Sequence, residues 1–155
     1  MESNNRHLPV SLWLLMACNL LLGLGGIAGG LAMLFDPSGS SLGLSLSSLS
    51  GTPFRDYVLP GTFIFLVMGV FPLFVVYSLW TKPVWSNLDY LEFMDHEHWS
   101  WSMSLLLSVL VILWSGLEFI LFGYQTPIQI AVALLGLLSL ALAVLQPVRQ
   151  FYAED

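Results

Sequence analysis

The chain has 155 residues, of which 57% are hydrophobic and 9% charged, with a formal net charge of −6. A soluble domain carries about 25% charged residues, so this chain lacks the polar surface to face water and needs a bilayer as its solvent. Four Lys and Arg in all exclude a basic patch and, with it, nucleic acid as a partner; the single cysteine, Cys18, excludes an intramolecular disulfide and a cysteine metal cage.

Four apolar stretches, 10–34, 61–80, 103–122 and 128–145, each approach the ~20 residues a helix needs to cross about 30 Å of hydrocarbon. Helices satisfy their own backbone groups in lipid. The expected fold class is an all-α membrane protein: one integral membrane domain over 1–155, a four-transmembrane-helix bundle with a long outer loop containing a short interfacial helix. In the first span, "LMAC" resembles a lipoprotein cleavage box, but apolar sequence runs on to Phe35 and argues against processing. Asn19, Gly23, Gly26 and Gly30 fall on one helical face. A second strip, Cys18, Leu22, Gly25 and Gly29, lies beside it. Small residues let membrane helices approach closely, so Gly23, Gly26 and Gly30 read as a helix-helix seam; a notch for a lipid or cofactor tail is the alternative.

The connection 36–60 opens with turn chemistry, Asp36-Pro37-Ser38-Gly39. Leu42, Leu44, Leu46 and Leu49 follow among serines. They are too apolar for open solvent and too few to span, which predicts a segment on the outer interface or folded over the bundle mouth. Thr52-Pro53 predicts the start of the short helix, which would carry Arg55 and Asp56, and Pro60 marks the entry to the second span. That span, with Phe63, Phe65, Phe71 and Phe74, reads as lipid-facing, and Pro72 is expected to bend it. In "DYLEFMDHEHWSW" the nearest approach to metal ligands is His96 and His98. They lack the i, i+4 spacing of a helical zinc motif, so an acidic solvated loop is expected and neither a metal nor a cofactor is assigned.

In the third span Ser104, Ser108, Val111, Ser115, Glu118 and Phe122 share one face, expected to point into the bundle. Gly123 ends that helix. "TPIQ" reads as a capping box in which Thr126 caps, Pro127 takes the first position and Gln129 reaches back. The fourth span answers with Gln129, Ala133, Gly136 and Ala143, so the small and polar faces of spans one, three and four are expected to form one interior. Glu118 lies about 6 Å below the outer end of its span at 1.5 Å per residue. Arg55 is the one cation expected on that side, and an Arg-carboxylate pair is the simplest way to keep a membrane carboxylate charged. The candidate ligand-binding or loop-clamping residues are therefore Glu118, Arg55, Asp56, Asp36, Asn19, Ser115 and Gln125.

"DPSGSSLGLSLSSLSGTPFRDYVLPG" and "FGYQTPIQ…LLGLLSLALAVLQPVRQFY" resemble a family of small bacterial integral membrane proteins. Its signature is an Asp-Pro-[Ser/Thr]-Gly turn, a Leu-Gly-Leu element, a [Ser/Thr]-Pro-Phe-x-Asp-[Tyr/Phe] helix start and a Pro-Gly entry to the second span. Asp36, Pro37, Ser38, Gly39, Leu42, Gly43, Leu44, Pro53, Phe54, Asp56, Tyr57, Pro60 and Gly61 match it. The resemblance implies a bacterial four-span protein and brings no activity or catalytic residue.

The sequence contains no nucleophile elbow, phosphate loop, haem-attachment motif or zinc signature. The leading expectation is a non-enzymatic helper or accessory subunit, packed in the bilayer on another membrane protein or on itself. The alternative is a binder or carrier of a lipid, quinone or small amphiphile in an outer-side pocket near Glu118, and behind it a membrane enzyme or proton-coupled transporter. A cavity beside Glu118, capped by 42–49, favours the binder; a bundle filled by its own side chains favours the subunit.

Arg6, Lys82 and Arg149 fall on one side of four crossings and Arg55 on the other. Positive residues stay inside, which predicts an inner-membrane protein with both termini cytoplasmic. Trp13, Trp80, Trp85, Trp99 and Trp101 would form an aromatic belt at the inner boundary. A reporter fused after Asp155 should be active only if it is one that works in the cytoplasm; activity of a periplasmic reporter there reverses the orientation.

Overall fold

Long apolar runs with almost no charge leave the chain one way to satisfy its backbone, and the computed structural model, which describes residues 8–83 and 98–153, is helical accordingly. The elements are α1 (Val10–Phe35), α2 (Val58–Thr81), α3 (Trp99–Phe122), α4 (Pro127–Ala143) and α5 (Gln146–Tyr152). The first three are each long and apolar enough to cross a membrane. The last two, bent by 63° at their junction, meet that test together. "Loop end" below means the end of the bundle carrying the 36–57 connection, and "termini end" the opposite one.

Two helices begin earlier than the hydropathy suggests. The second starts at Val58, because Pro60 falls within its first turn, where its missing N–H has no bond to break. The third starts at Trp99, where His98 caps it by accepting a hydrogen bond from the Ser100 N–H. Pro72 is accommodated by a π-helical stretch, Ile64–Val70, directly before it. The wider turn moves aside the carbonyls that the proline ring would strike in an α-helix.

The glycine stripe is a seam, as expected, but its partner differs. A Cβ at Gly26 would lie 2.2 Å from the Met68 carbonyl group, and one at Gly30 would lie 2.6 Å from the Phe65 nitrogen. From the other side, a Cβ at Gly69 would meet the Ile27 nitrogen at 2.8 Å. So α1 and α2 touch backbone to backbone, and the second span is not the lipid-facing one. Phe63, Phe71 and Phe74 are half-buried against the core. Large aromatics suggested lipid; Gly69 among them made the opposing surface for the α1 glycines.

The serine stripe of α3 does face inward: Ser104, Ser108, Val111 and Ser115 are all buried. Ser104 and Ser108 donate to the carbonyls of Trp101 and Ser104, both at 2.8 Å, so their hydroxyls are satisfied within their own helix. Gly136 of α4 packs on Val111, where a Cβ would meet Cγ1 at 2.7 Å. Between α1 and α4, the buried Ser139 hydroxyl donates to Asn19 Oδ1 at 3.4 Å.

At the termini end, α5 closes the bundle. The Tyr152 hydroxyl donates to the Leu79 carbonyl, the His98 N–H to the Tyr152 carbonyl at 2.9 Å, and Lys82 Nζ sits 3.8 Å from the Phe151 ring centroid. Trp99 and Trp101 are only 2% and 3% exposed, and their indoles donate to the carbonyls of Pro83 and Ala143. They are core residues and not members of an aromatic belt. Trp13 and Trp80, 49% and 55% exposed, do lie together, edge to face at 5.2 Å. Trp85 and Arg6, and the acidic run with His96, fall outside the described residues.

The seam gives a paired test. Gly26→Ala should lower the thermal midpoint in detergent, since its Cβ has only backbone to push against and overpacking costs about 1–3 kcal/mol. Gly25→Ala, where a Cβ meets nothing within 4 Å, should hold or raise it. Equal midpoints for the two variants would mean that α1 does not grip α2 through this face.

Candidate binding cavity

The loop end is built from short-range polar contacts. Asp36, at the end of α1, accepts from the hydroxyls of Ser38 (2.6 Å) and Ser40 (2.7 Å) and from the Ser41 N–H (2.8 Å). Those donors, the Ser38 and Ser40 hydroxyls foremost, hold its carboxyl well below the usual carboxylate range. Gly39 follows with φ 77° and lies so close to the Tyr57 ring that a Cβ would come within 2.8 Å of it. Only glycine suits both conditions. The Tyr57 N–H donates to the Pro37 carbonyl at 3.0 Å and its hydroxyl to the Ser45 carbonyl at 2.9 Å. Burial pushes this hydroxyl's pKa up, partly offset by a hydrogen bond with Ser48.

Tied at Asp36 and Tyr57, the connection folds back over the helices as two 3₁₀ turns, Ser40–Leu42 and Leu46–Leu49. The helix expected from Thr52-Pro53 is not formed. Thr52 donates its hydroxyl back to the Leu49 carbonyl at 2.8 Å, and residues 52–57 run as bends. Asp56 accepts from the Val58 N–H at 3.0 Å and so serves the start of α2. Arg55 is exposed, and no ion pair joins it to Glu118 among the described residues. The expected clamp is therefore absent: the chain bends through 52–57 without a helical turn, and Arg55 is left exposed.

Beneath this roof lies a cavity of about 570 Å³. Leu42, Leu44 and Tyr57 cover it, and Met33, Gly29, Gly25 and Leu22 of α1 form one wall. Ile64 and Met68 of α2 stand beside them, and Ile128, Val132 and Leu135 of α4 stand opposite. A Cβ at Gly25 or Gly29 would meet nothing within 4 Å. The two glycine strips of α1 thus divide the two readings of the sequence: Gly23, Gly26 and Gly30 pack a helix, while Gly25 and Gly29 leave room. The Asn19–Ser139 pair lies one turn deeper than Leu22 and Leu135, on the termini side of the cavity.

Trp114, Glu118 and Phe122 are the contribution of α3. Glu118 is half-buried, and the Trp114 indole, four residues earlier, stands beside its carboxyl. Trp114 is itself held by stacking on Phe63, with centroids 4.2 Å apart. The other polar groups of the lining are engaged elsewhere. Gln129 completes the predicted capping box; its Oε1 accepts from the N–H of Gln125 (2.7 Å) and of Thr126 (3.2 Å), and its Nε2 donates to the Gly123 carbonyl at 3.3 Å. Gln125 donates to the Phe122 carbonyl at 2.6 Å and accepts from the Ser48 hydroxyl at 3.4 Å, linking the roof to the α3–α4 turn.

Of the sequence candidates, Glu118 and Gln125 line the cavity, Asp36 and Asp56 shape the loop, and Asn19 lies deeper in the bundle. Ser115 is buried, its hydroxyl without a hydrogen-bond partner among the described residues. His98 caps α3, and no group of three metal-ligating side chains occurs among the described residues. Trp114 escaped the sequence reading although it lies one turn from Glu118 on the same face, the spacing that exposed the serines. Comparison of the chain with protein-family models, with curated proteins and with solved structures gives no match.

Loop protection tests this construction. Asp36→Ala and Tyr57→Phe should both speed protease cleavage within 36–57, the second through loss of one hydrogen bond worth about 0.5–1.5 kcal/mol. Arg55→Ala should leave cleavage unchanged. The Asp36 carboxyl titrates lower in the folded protein than its ordinary 3.8, so its contribution is complete above that value and lost as pH falls through the lower one. Protection should hold from neutral pH to about pH 5 and fail only in stronger acid.

Proposed function

We propose that the protein is a four-span bundle of the bacterial inner membrane, its bent α4–α5 pair forming the last crossing, and that it binds a small apolar-tailed amphiphile in the cavity under its outer loop. One observation carries this reading: a cavity of about 570 Å³ beside Glu118, roofed by Leu42 and Leu44. That size falls within the roughly 300–1,000 Å³ typical of small-molecule sites, which are mostly apolar with a few placed polar groups. The open space over Gly25 and Gly29 supports it, since larger residues there would fill the site. Glu118 and Tyr57 are the ionisable side chains of the lining, and Tyr57 is occupied in holding the roof. That favours binding over chemistry. The accessory-subunit reading keeps one support of its own: Gly116, exposed on α3 with nothing within 4 Å of a Cβ, offers a partner helix close approach.

Purification in a gentle detergent, followed by mass spectrometry of everything retained, is the test. Wild type should carry a stoichiometric amphiphile. Gly25→Leu and Gly29→Leu should lose it while keeping the wild-type thermal midpoint without ligand. A wild-type protein that retains none, and that takes up no added amphiphile, would refute the binding reading.

A further inference from the structure

The cavity's polar inventory also defines the head group it accepts. This step rests on the binding reading above. Gln129 and Gln125 have their oxygens and nitrogens engaged in the α3–α4 turn and the roof, and Tyr57 donates to Ser45. Glu118 is left as the acceptor on the cavity wall. Among the described residues no Lys, Arg or His occurs in the lining, and Arg55, exposed in the loop, makes no ion pair with Glu118. A phosphate or carboxylate head would enter without a counter-charge and beside a carboxyl group, an arrangement that rejects ligands of like charge. A hydroxyl or an ammonium would instead give Glu118 the donor it lacks.

We propose that the site selects amphiphiles whose head donates hydrogen bonds and carries no negative charge, with Glu118 as the receiving group. The placement of the groups sets the ligand's direction. Glu118 is one turn from the loop end of α3, while the walls below it, Leu22, Met68 and Leu135, are apolar. The head therefore lies under the roof and the tail runs toward the termini end. Trp114, fixed by Phe63, gives the head a flat neighbour. Such a site would ignore most phosphate-headed lipids around it, which is how it would keep one ligand in a membrane full of competitors.

The test uses the full chain in detergent at pH 8 and four probes that share one tail: hexadecanol, hexadecylamine, hexadecanoate and hexadecane. Binding is read by native mass spectrometry and by the rise in thermal midpoint. Hexadecanol, hexadecylamine or both should bind about tenfold more tightly than hexadecanoate and hexadecane. Glu118→Gln should reduce that preference, and Gly29→Leu should abolish binding of every probe. Loss of the amine alone in Glu118→Gln assigns the natural head as an ammonium; equal weakening of amine and alcohol assigns a hydroxyl. Hexadecanoate or hexadecane binding to wild type as well as the alcohol and the amine overturns the head-group inference and leaves the cavity as a binding site. Failure of all four probes overturns the binding reading itself. The wild-type comparison decides these outcomes even where a variant does not fold.

Discussion

The backbone contact between Gly26 of α1 and Met68–Gly69 of α2 sets the plan of the bundle. Helices in lipid gain nothing from hiding apolar surface from water, so they associate where small residues let them approach. Such an approach uses one face of α1. At 100° per residue the neighbouring strip, Gly25 and Gly29, is turned aside from α2 by the same geometry. What lies over that strip is the cavity, with α4 across it. An apolar void of this kind would be costly in a water-soluble core. At the loop end of a membrane bundle it can be occupied by a lipid-like tail, which removes most of that cost.

The roof follows from different physics. No helix closes the loop end; the connection is tied by contacts a few residues long, with Asp36 gathering Ser38, Ser40 and Ser41 and with Tyr57 reaching Ser45. Because these contacts satisfy the polar groups of the loop locally, Leu42 and Leu44 are left to face the cavity. The side-chain hydrogen bond from the roof to the α3–α4 turn is Ser48–Gln125 at 3.4 Å. That is a slight tether for a segment covering a cavity, and it places the roof among the parts of the fold most easily displaced.

Periodicity made much of this legible in the sequence. The apolar runs gave the helices, the 4-3-4 spacing gave the inward serine stripe of α3, and "TPIQ" gave the capping box through to the role of Gln129. Periodicity says which residues share a face and is silent on what the face meets. That is why the α1 glycines were matched with α3 and α4 when their partner was Gly69 of α2. Trp99 and Trp101 were assigned to a membrane boundary from their position along the chain, but the fold of α5 over them made them core. In the 52–57 segment Thr52 turns its hydroxyl back to the Leu49 carbonyl and accepts from the Phe54 N–H at 3.3 Å, and the chain bends on without forming a helix. With that helix went the Arg55–Glu118 pair, which depended on its geometry. The cavity itself was written only as two adjacent glycine strips, one needed for contact and one for space, and no rule of spacing distinguishes them.

Glu118 gains its meaning from the other polar groups of the protein. Ser104 and Ser108 are satisfied by their own helix, and the Asn19 Oδ1 accepts from Ser139 across the bundle. Each of these has a structural reason to be where it is. A structural reason for Glu118 would be a partner in the roof. The roof's polar side chains are engaged with one another or with the α3–α4 turn, and its cation points to solvent. The Trp114 indole stands beside it, while a carboxylate can accept about four hydrogen bonds. Ionisable groups in membrane segments persist where something repays them. With neither a helix nor the loop providing that here, the remaining candidate is a molecule in the cavity that Glu118 faces.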